Sequence, residues 1–422
     1  MLNETKRCPA TVSPVKFETT ENDHNVSCPE YFRWIHEDLK PWKVTGITRD
    51  MMMKAKKNAS FRLVIVKGRV YIKKYKQAFQ TRDLFTWWGI VQLLRKYPGR
   101  LPDLDLMFNC DDRPAIKSSD YPKPNATVPP PLFHYCGTSW SSAIVFPDWS
   151  FWGWPEINIK PWEVLIKELK EGNERTKWIQ REPYAFWKGN PGTSKARKDL
   201  MKCSPTDQKD WKVRAYAQDW KKEIQEGFKE SDVAKQCRHK YRIYVEGRGW
   251  SISQKYVLAC DSVTLFVKPQ YYDFTTRSLI PMYHYFPIKG DDICREIKFA
   301  IDWGNIYKQE AQAIGRRASN FIQEELKMDY VYDYMFNLLK EYAELLKYKP
   351  TIPNGAIEFC SETMACHADG LAKKFMMDSM VKTPADTAPC TMLPPYDPPA
   401  IQAFLKDKED TLKQVEEMVK KS

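Results

Sequence analysis

Three observations predict an α/β protein. From about residue 180 the apolar runs "PYAFW", "YRIYV" and "VTLFV" are short, and segments of helical pattern separate them. Strands alternating with helices pair in parallel through right-handed crossovers. Two of these runs lead into glycine-containing, cationic turns, "KGNPGTSKARKDL" and "EGRGWSISQKYVLAC", and open sheets bind ligands at such strand ends. Finally, 422 residues that are 43% hydrophobic and 14% aromatic suffice for two ordinary domains with real cores, which excludes wholesale disorder.

The elements follow in chain order. Residues 1–27 are polar and aperiodic and read as a flexible stem. Residues 28–178 form an N-terminal domain. In it "FRLVIVKGRVYIKKY" gives two strands joined at Lys67-Gly68, a hairpin signal. "FTWWGIVQLLRKYP" then sets Trp87, Ile90, Val91 and Leu94 on one helical face, with Pro98 as the stop. "LPDLDLMFNCDDRP" reads as a strand ending abruptly in two acids, and "SSDYPKPNATVPPPLF" is a loop. The aromatic, proline-rich "IVFPDWSFWGWPEINIKPW" is a rigid loop with short strands, and "PWEVLIKELKEGNERTKW" is helical from Pro161. Residues 179–328 form the alternating domain. Residues 329–422 are a helical clamp and tail, and from Met328 at its border Val331, Met335, Leu338, Tyr342 and Leu345 recur at helical steps as core or clamping surface. The tail from Pro350 is expected to wrap over the body.

The charge is +12, from 66 Lys and Arg against 54 Asp and Glu. Such an excess favours nucleotide diphosphates or other polyanions. Zinc-finger, basic-zipper and RNA-binding aromatic signatures are absent, so no nucleic-acid partner is expected. The 11 cysteines form no CxxC pair and only 6 histidines are present, so no metal site is expected. Sequons at Asn3, Asn25, Asn58 and Asn125 join the cysteines as a secretory signature. "MLNETKRCPA" carries no apolar signal core, and the expectation is a type II membrane protein of the endoplasmic reticulum or Golgi whose anchor is missing from this chain.

Three pieces can do chemistry. If the strand through Leu104, Leu106 and Phe108 continued, Cys110 and Asp112 would share its face and Asp111 would point away. Adjacent strand acids make a poor pair across one glycosidic bond, which counts against a glycoside hydrolase. A lone carboxylate after a strand's C-terminal end sits where open sheets hold ligands; the bland alternative is a turn cap or a pair with Arg113. The second piece, "WKGNPGTSKARKDL", offers Lys188, Gly189, Asn190, Thr193, Ser194 and Arg197 as a diphosphate cradle, though it is neither a Walker A box nor GxGxxG. The third, "YVEGRGWSISQKYVLACDS", is again strand, glycines and helix. It offers Glu246 for hydroxyls, the Gly247–Ser251 turn with Trp250, and Arg248 and Lys255 for phosphate.

Together with "FPDWSFWGW" and "LKMDYVYDYMFNLLKEYA", these stretches resemble the plant branch of the Rumi-type protein O-glucosyltransferases of glycosyltransferase family 90. The resemblance spans about residues 28 to 400. It implies a GT-B-like fold of two Rossmann-like domains facing across a cleft, a UDP-sugar donor and inversion at the anomeric carbon without metal or other cofactor. It places the catalytic base on Asp112 and a phosphate-binding arginine on Arg197. Ser253 stands where animal members carry a second arginine, leaving Lys255 or Arg248 as substitutes. A family disulfide matches Cys237 with Cys260. The acceptor it implies is a serine of a secretory-pathway protein domain or a glycan. Rival readings are a cell-wall polysaccharide xylosyltransferase and a non-catalytic carbohydrate-binding protein.

Overall fold

The computed structural model describes residues 8–9, 26–122, 128–229 and 231–422. Its strands are β1 (Phe61–Val66), β2 (Arg69–Lys74), β3 (Leu104–Phe108), β4 (Phe133–His134), β5 (Ile144–Val145), β6 (Glu182–Gly189), β7 (Val213–Ala217), β8 (His239–Val245), β9 (Val263–Val267), β10 (Phe286–Ile288) and β11 (Ile357–Phe359). They form two sheets in two compact units. The first unit holds residues 1–163, 272–274 and 328–395; the second holds 164–271, 275–327 and 396–422.

In the first unit the sheet order is β11-β2-β1-β3-β4-β5. The β1–β2 hairpin forms in the register Val66↔Arg69. Its two turn residues, Lys67 (φ 52°) and Gly68 (φ 72°), both have positive φ, the backbone twist that two-residue hairpins require. The pairs β3–β4 and β4–β5 are parallel. The helix Arg82–Lys96 is buried nearly all round, whereas the sequence pattern put one apolar face inward and included Leu94, which is only half-buried. The reason is packing on several sides. A Cβ at Gly89 would meet the Trp152 ring at 2.5 Å, so only glycine lets the two approach. Val331, Met335, Leu338 and Tyr342 of the helix Met328–Glu344 are buried, and Tyr342 Oη donates to the Asp105 carbonyl at 3.1 Å. Disulfides Cys28–Cys390 and Cys8–Cys360 tie this unit's early and late segments, and β11 adds an edge strand beside β2.

In the second unit all strands are parallel, in the order β10-β9-β8-β6-β7. Numbered from β6 this is 2-1-3-4-5, a doubly wound order whose switch point lies between β6 and β8. Ala185, Trp187, Val213, Ala215, Ile243 and Val245 turn one sheet face into a core completed by Ile297, Ile301 and Ile314. Cys237 is bonded to Cys260 and Cys203 to Cys294. The last helix, Pro398–Lys420, belongs to this unit, where Lys408 Nζ donates to the Arg277 carbonyl at 2.9 Å. Among the described residues no helix is long and apolar enough to cross a membrane.

Candidate active site

β3 ends at Phe108, four residues before Asp112, so Asp112 is placed by a turn and not by strand alternation. That turn is tightly tied. Asn109 N donates to the Phe133 carbonyl (2.9 Å), Cys110 N to Ser60 Oγ (2.9 Å) and Asp111 N to Asn109 Oδ1 (2.8 Å). The two acids then take different partners. Asp111 Oδ2 accepts from Lys76 Nζ at 2.6 Å and from Asn109 Nδ2 at 3.2 Å. Partial burial pushes the Asp111 carboxyl up, but these donors, Lys76 first, hold it below its ordinary range.

Asp112 Oδ1 accepts from Arg82 Nη1 at 2.9 Å, and the same nitrogen donates to the Cys110 carbonyl at 3.2 Å. Arg82 comes from the first turn of the helix Arg82–Lys96 and is only 6% exposed. Its guanidinium lies over the rings of Trp149 (4.5 Å), Phe79 (5.0 Å) and Trp154 (5.9 Å). The aromatic cage excludes water and fixes the cation. Gln80, held at φ 55°, accepts from Trp154 Nε1 at 2.7 Å and anchors the loop that carries Phe79. The ion pair does not consume the carboxylate. Asp112 remains 39% exposed, and among the described residues its Oδ2 accepts no hydrogen bond. Oδ1 is thus oriented by the protein, while Oδ2 is left without a partner among the described residues.

In the second unit the two glycine-containing turns meet at the switch point. Asn190 caps the turn after β6, its Oδ1 accepting from Gly192 N at 2.8 Å. Ser194 caps the helix Lys195–Met201, accepting from Arg197 N (3.3 Å) and donating to the Glu246 carbonyl (2.9 Å). Arg197 links the turns. Its Nε and Nη2 donate to the Val245 and Glu246 carbonyls and to Ser251 Oγ, and its Nη1 to the Asn190 carbonyl. Of five guanidinium hydrogens, one on Nη1 stays uncommitted among the described residues. Burial pushes the Arg197 pKa down from its ordinary value, although Tyr244 and Glu246 oppose this. A Cβ on Gly247 would stand 3.3 Å from Thr193 Oγ1 and 3.5 Å from Arg197 Nη2, so the absence of a side chain lets the turns close on each other.

The chain matches the model of Glycosyl transferase family 90 over residues 23–419. It belongs to glycosyltransferase family 90. Among its relatives are O-glucosyltransferase rumi of Drosophila pseudoobscura pseudoobscura, 25% identical over 83% of this chain and 84% of that protein. Protein O-glucosyltransferase 1 of Bos taurus is 27% identical over 80% and 86%, and that of Homo sapiens 27% over 79% and 84%. Two α/β units, each with its own sheet, make the GT-B-like class of this family 90 chain.

Other residues singled out in the family 90 sequence are less simply placed. Lys188 alternates to the opposite face of β6 from Trp187, over whose ring the Arg197 guanidinium lies at 5.6 Å, and its Nζ pairs with Glu223 at 2.8 Å. Gly189 ends β6 and its carbonyl accepts from Gln218 N at 2.8 Å. Glu246 gives its oxygens to the backbone N–H groups of Gln270 and Tyr271, each at 2.9 Å. Burial pushes this carboxyl up to about 7 against those two bonds and Arg197. The second helix begins at Ser253, later than the expected Trp250-Ser251. Ser251 and Ser253 bond each other at 2.9 Å, Trp250 and Lys255 are buried, and Lys255 Nζ lies 5.0 Å over the Tyr256 ring. Of the sequons, Asn3, Asn25 and Asn125 lie outside the described residues. Asn58 is half-buried at the end of the turn Ala55–Asn58.

Sequence reasoning missed Arg82 and its ring of Phe79, Trp149 and Trp154. The available signal was an arginine in the first turn of a helix whose middle, from Leu84 to Leu94, is mainly apolar.

Proposed function

We propose that this chain is an inverting O-glucosyltransferase of the secretory pathway, in the endoplasmic reticulum or Golgi lumen, moving glucose from UDP-glucose to a hydroxyl of a protein acceptor without a metal. The observation that carries this reading is Asp112, held through Oδ1 by a caged arginine with Oδ2 left open after the C-terminal end of β3. The relatives' names supply glucose transfer to protein, and the disulfides fit an oxidising compartment.

Asp112 Oδ2 accepts the acceptor hydroxyl's proton as its oxygen bonds to the anomeric carbon, and the bond from that carbon to the diphosphate oxygen breaks. The electron pair leaves with UDP and the configuration inverts. Positive charge on the sugar grows in the transition state, which a nearby carboxylate favours. The departing diphosphate gains negative charge, and the uncommitted Arg197 N–H and the backbone of the Asn190–Ser194 turn are the groups assigned to it. One such preorganised donor supplies roughly 3 kcal/mol.

The test is a product assay offering UDP-glucose or UDP-xylose, with folded disulfide-bonded protein domains or xylan as acceptor, with and without EDTA. Glucose transfer to protein, unaffected by EDTA, is expected. No turnover in any combination, or transfer to xylan alone, refutes the reading.

A further inference from the structure

The second unit contains a cavity of about 390 Å³ that the donor turns do not touch. This size falls within the ~300–1,000 Å³ usual for small-molecule sites. Side chains alternate along a strand, so Ala185, Trp187, Val213 and Ala215 face the core while Phe186, Lys188, Arg214 and Tyr216 line the cavity on the other face. Parallel sheets normally have both faces covered. Here the β6–β7 end of that second face is bordered by the short helix Trp220–Gln225 and the turn Ala234–Arg238.

Its chemistry is specific. The floor is aromatic: Phe186 stacks on His239 with centroids 4.3 Å apart and planes 13° apart, and Tyr216 lies 5.7 Å from Phe186 with half its surface exposed. Two buried polar side chains line it. Glu223, 6% exposed, receives Lys188 Nζ on Oε1 at 2.8 Å, while among the described residues Oε2 accepts no hydrogen bond. Gln218 and Ser231 stand nearby but bond each other at 3.1 Å. His239, 3% exposed, has no hydrogen bond at either ring nitrogen among the described residues, and Glu182 Oε2 lies 3.4 Å from Nδ1 without hydrogen-bond geometry. Burial first, then Arg242 and Arg238, push the His239 pKa down to about 3, so the ring is neutral, with one donor and one acceptor.

A carboxylate oxygen needs a donor, and a neutral imidazole needs one of each. Phosphate and sulfate offer acceptors almost alone, whereas a sugar hydroxyl offers both. Charge agrees: six Lys or Arg against five Asp or Glu line the cavity, and several are paired, as in Lys188–Glu223, Arg238–Glu182 (3.1 Å) and Arg214 with Asp210 (2.9 Å). An exposed ring beside planar polar groups suits the apolar face and hydroxyl rim of a pyranose.

We infer that this cavity is a second carbohydrate site, taking a neutral oligosaccharide on Phe186, Tyr216, Glu223 and His239, on the opposite face of β6 from the Arg197 turns. The site stands on the second unit's own geometry, whatever the transfer reaction.

The whole chain is titrated by calorimetry with xylohexaose, cellohexaose and maltohexaose, and with sodium phosphate as the anionic probe. Binding of at least one hexasaccharide is expected, weakened about tenfold or more by Tyr216→Ala and by Glu223→Gln, with UDP affinity unchanged. Tyr216 is half exposed, so its variant keeps the fold and decides the matter should Glu223→Gln lower the melting temperature. The inference is overturned if none of the three saccharides binds, if Tyr216→Ala leaves binding intact, if phosphate competes with the saccharide, or if UDP displaces it.

Discussion

Asp112→Asn separates the chemistry from the architecture around it. Asparagine keeps an acceptor for the Arg82 Nη1 bond of 2.9 Å and nearly the same shape. The pair is 39% exposed on the Asp112 side, so its charge contributes at most about 1 kcal/mol to stability after solvent screening. In a chain of this size that shifts the melting temperature by no more than ~2–4 °C. What asparagine cannot do is take a proton. General-base catalysis contributes ~10²–10⁴-fold, so the transfer rate falls by at least about 100-fold, equivalent to roughly 2.7 kcal/mol of barrier. The assay is release of UDP in the presence of acceptor, with UDP titration and a melting curve on the same preparation. Asp111→Asn is the internal control: it weakens the exposed pair with Lys76 and the bond from Asn109 Nδ2, and transfer stays within about threefold. A folded Asp112→Asn enzyme that binds UDP normally and retains a third or more of the activity would refute the assignment. So would an Asp111→Asn variant that fails equally.

Three further outcomes follow from the second unit. Arg197→Ala removes the cation that links three backbone carbonyls and Ser251, and is expected to weaken UDP binding at least tenfold by calorimetry, whereas unchanged affinity removes Arg197 from the donor site. Glu246 has a folded pKa of about 7, above its ordinary 4.5, so the native state binds this proton more tightly and stability falls as pH rises from 4.5 through 7, by up to roughly 3 kcal/mol. Glu246→Gln mimics the protonated form, and its melting temperature, compared with wild type, should rise in relative terms between pH 5 and pH 8; a constant difference contradicts the raised pKa. Replacing Cys237 and Cys260 by serine opens a loop of sequence separation 23 and should cost about 3 kcal/mol in denaturant unfolding; a loss below 1 kcal/mol speaks against a stabilising link.

Local physics settled much of this protein in its sequence. Lys67-Gly68 between two alternating runs can only be a tight hairpin, because a glycine that accepts positive φ relieves the turn. Helical spacing from Val331 to Tyr342 places those side chains on one stripe whatever they pack against, and serine before a cationic helix start caps it, as Ser194 does. The strand-to-helix turns carrying Asn190, Arg197 and Gly247 were legible for the same reason: their chemistry lies within a few residues.

Tertiary structure decided everything that joins distant segments. Arg82 reaches Asp112 across 30 positions, and Trp149 and Trp154 close on it from further along the chain, so no local pattern could announce the caged cation. Whether Lys188 faces the Arg197 turns or Glu223 depends on which face of β6 is covered, and that follows from where the helix Ile293–Ile306 packs, over a hundred residues later. The late segment that supplies β11 and Cys390 returns to the first unit because its partners, β2 and Cys28, lie there. Sequence sets backbone preference and side-chain period within a few turns. Burial sets which of those side chains meet, and burial is a property of the assembled chain.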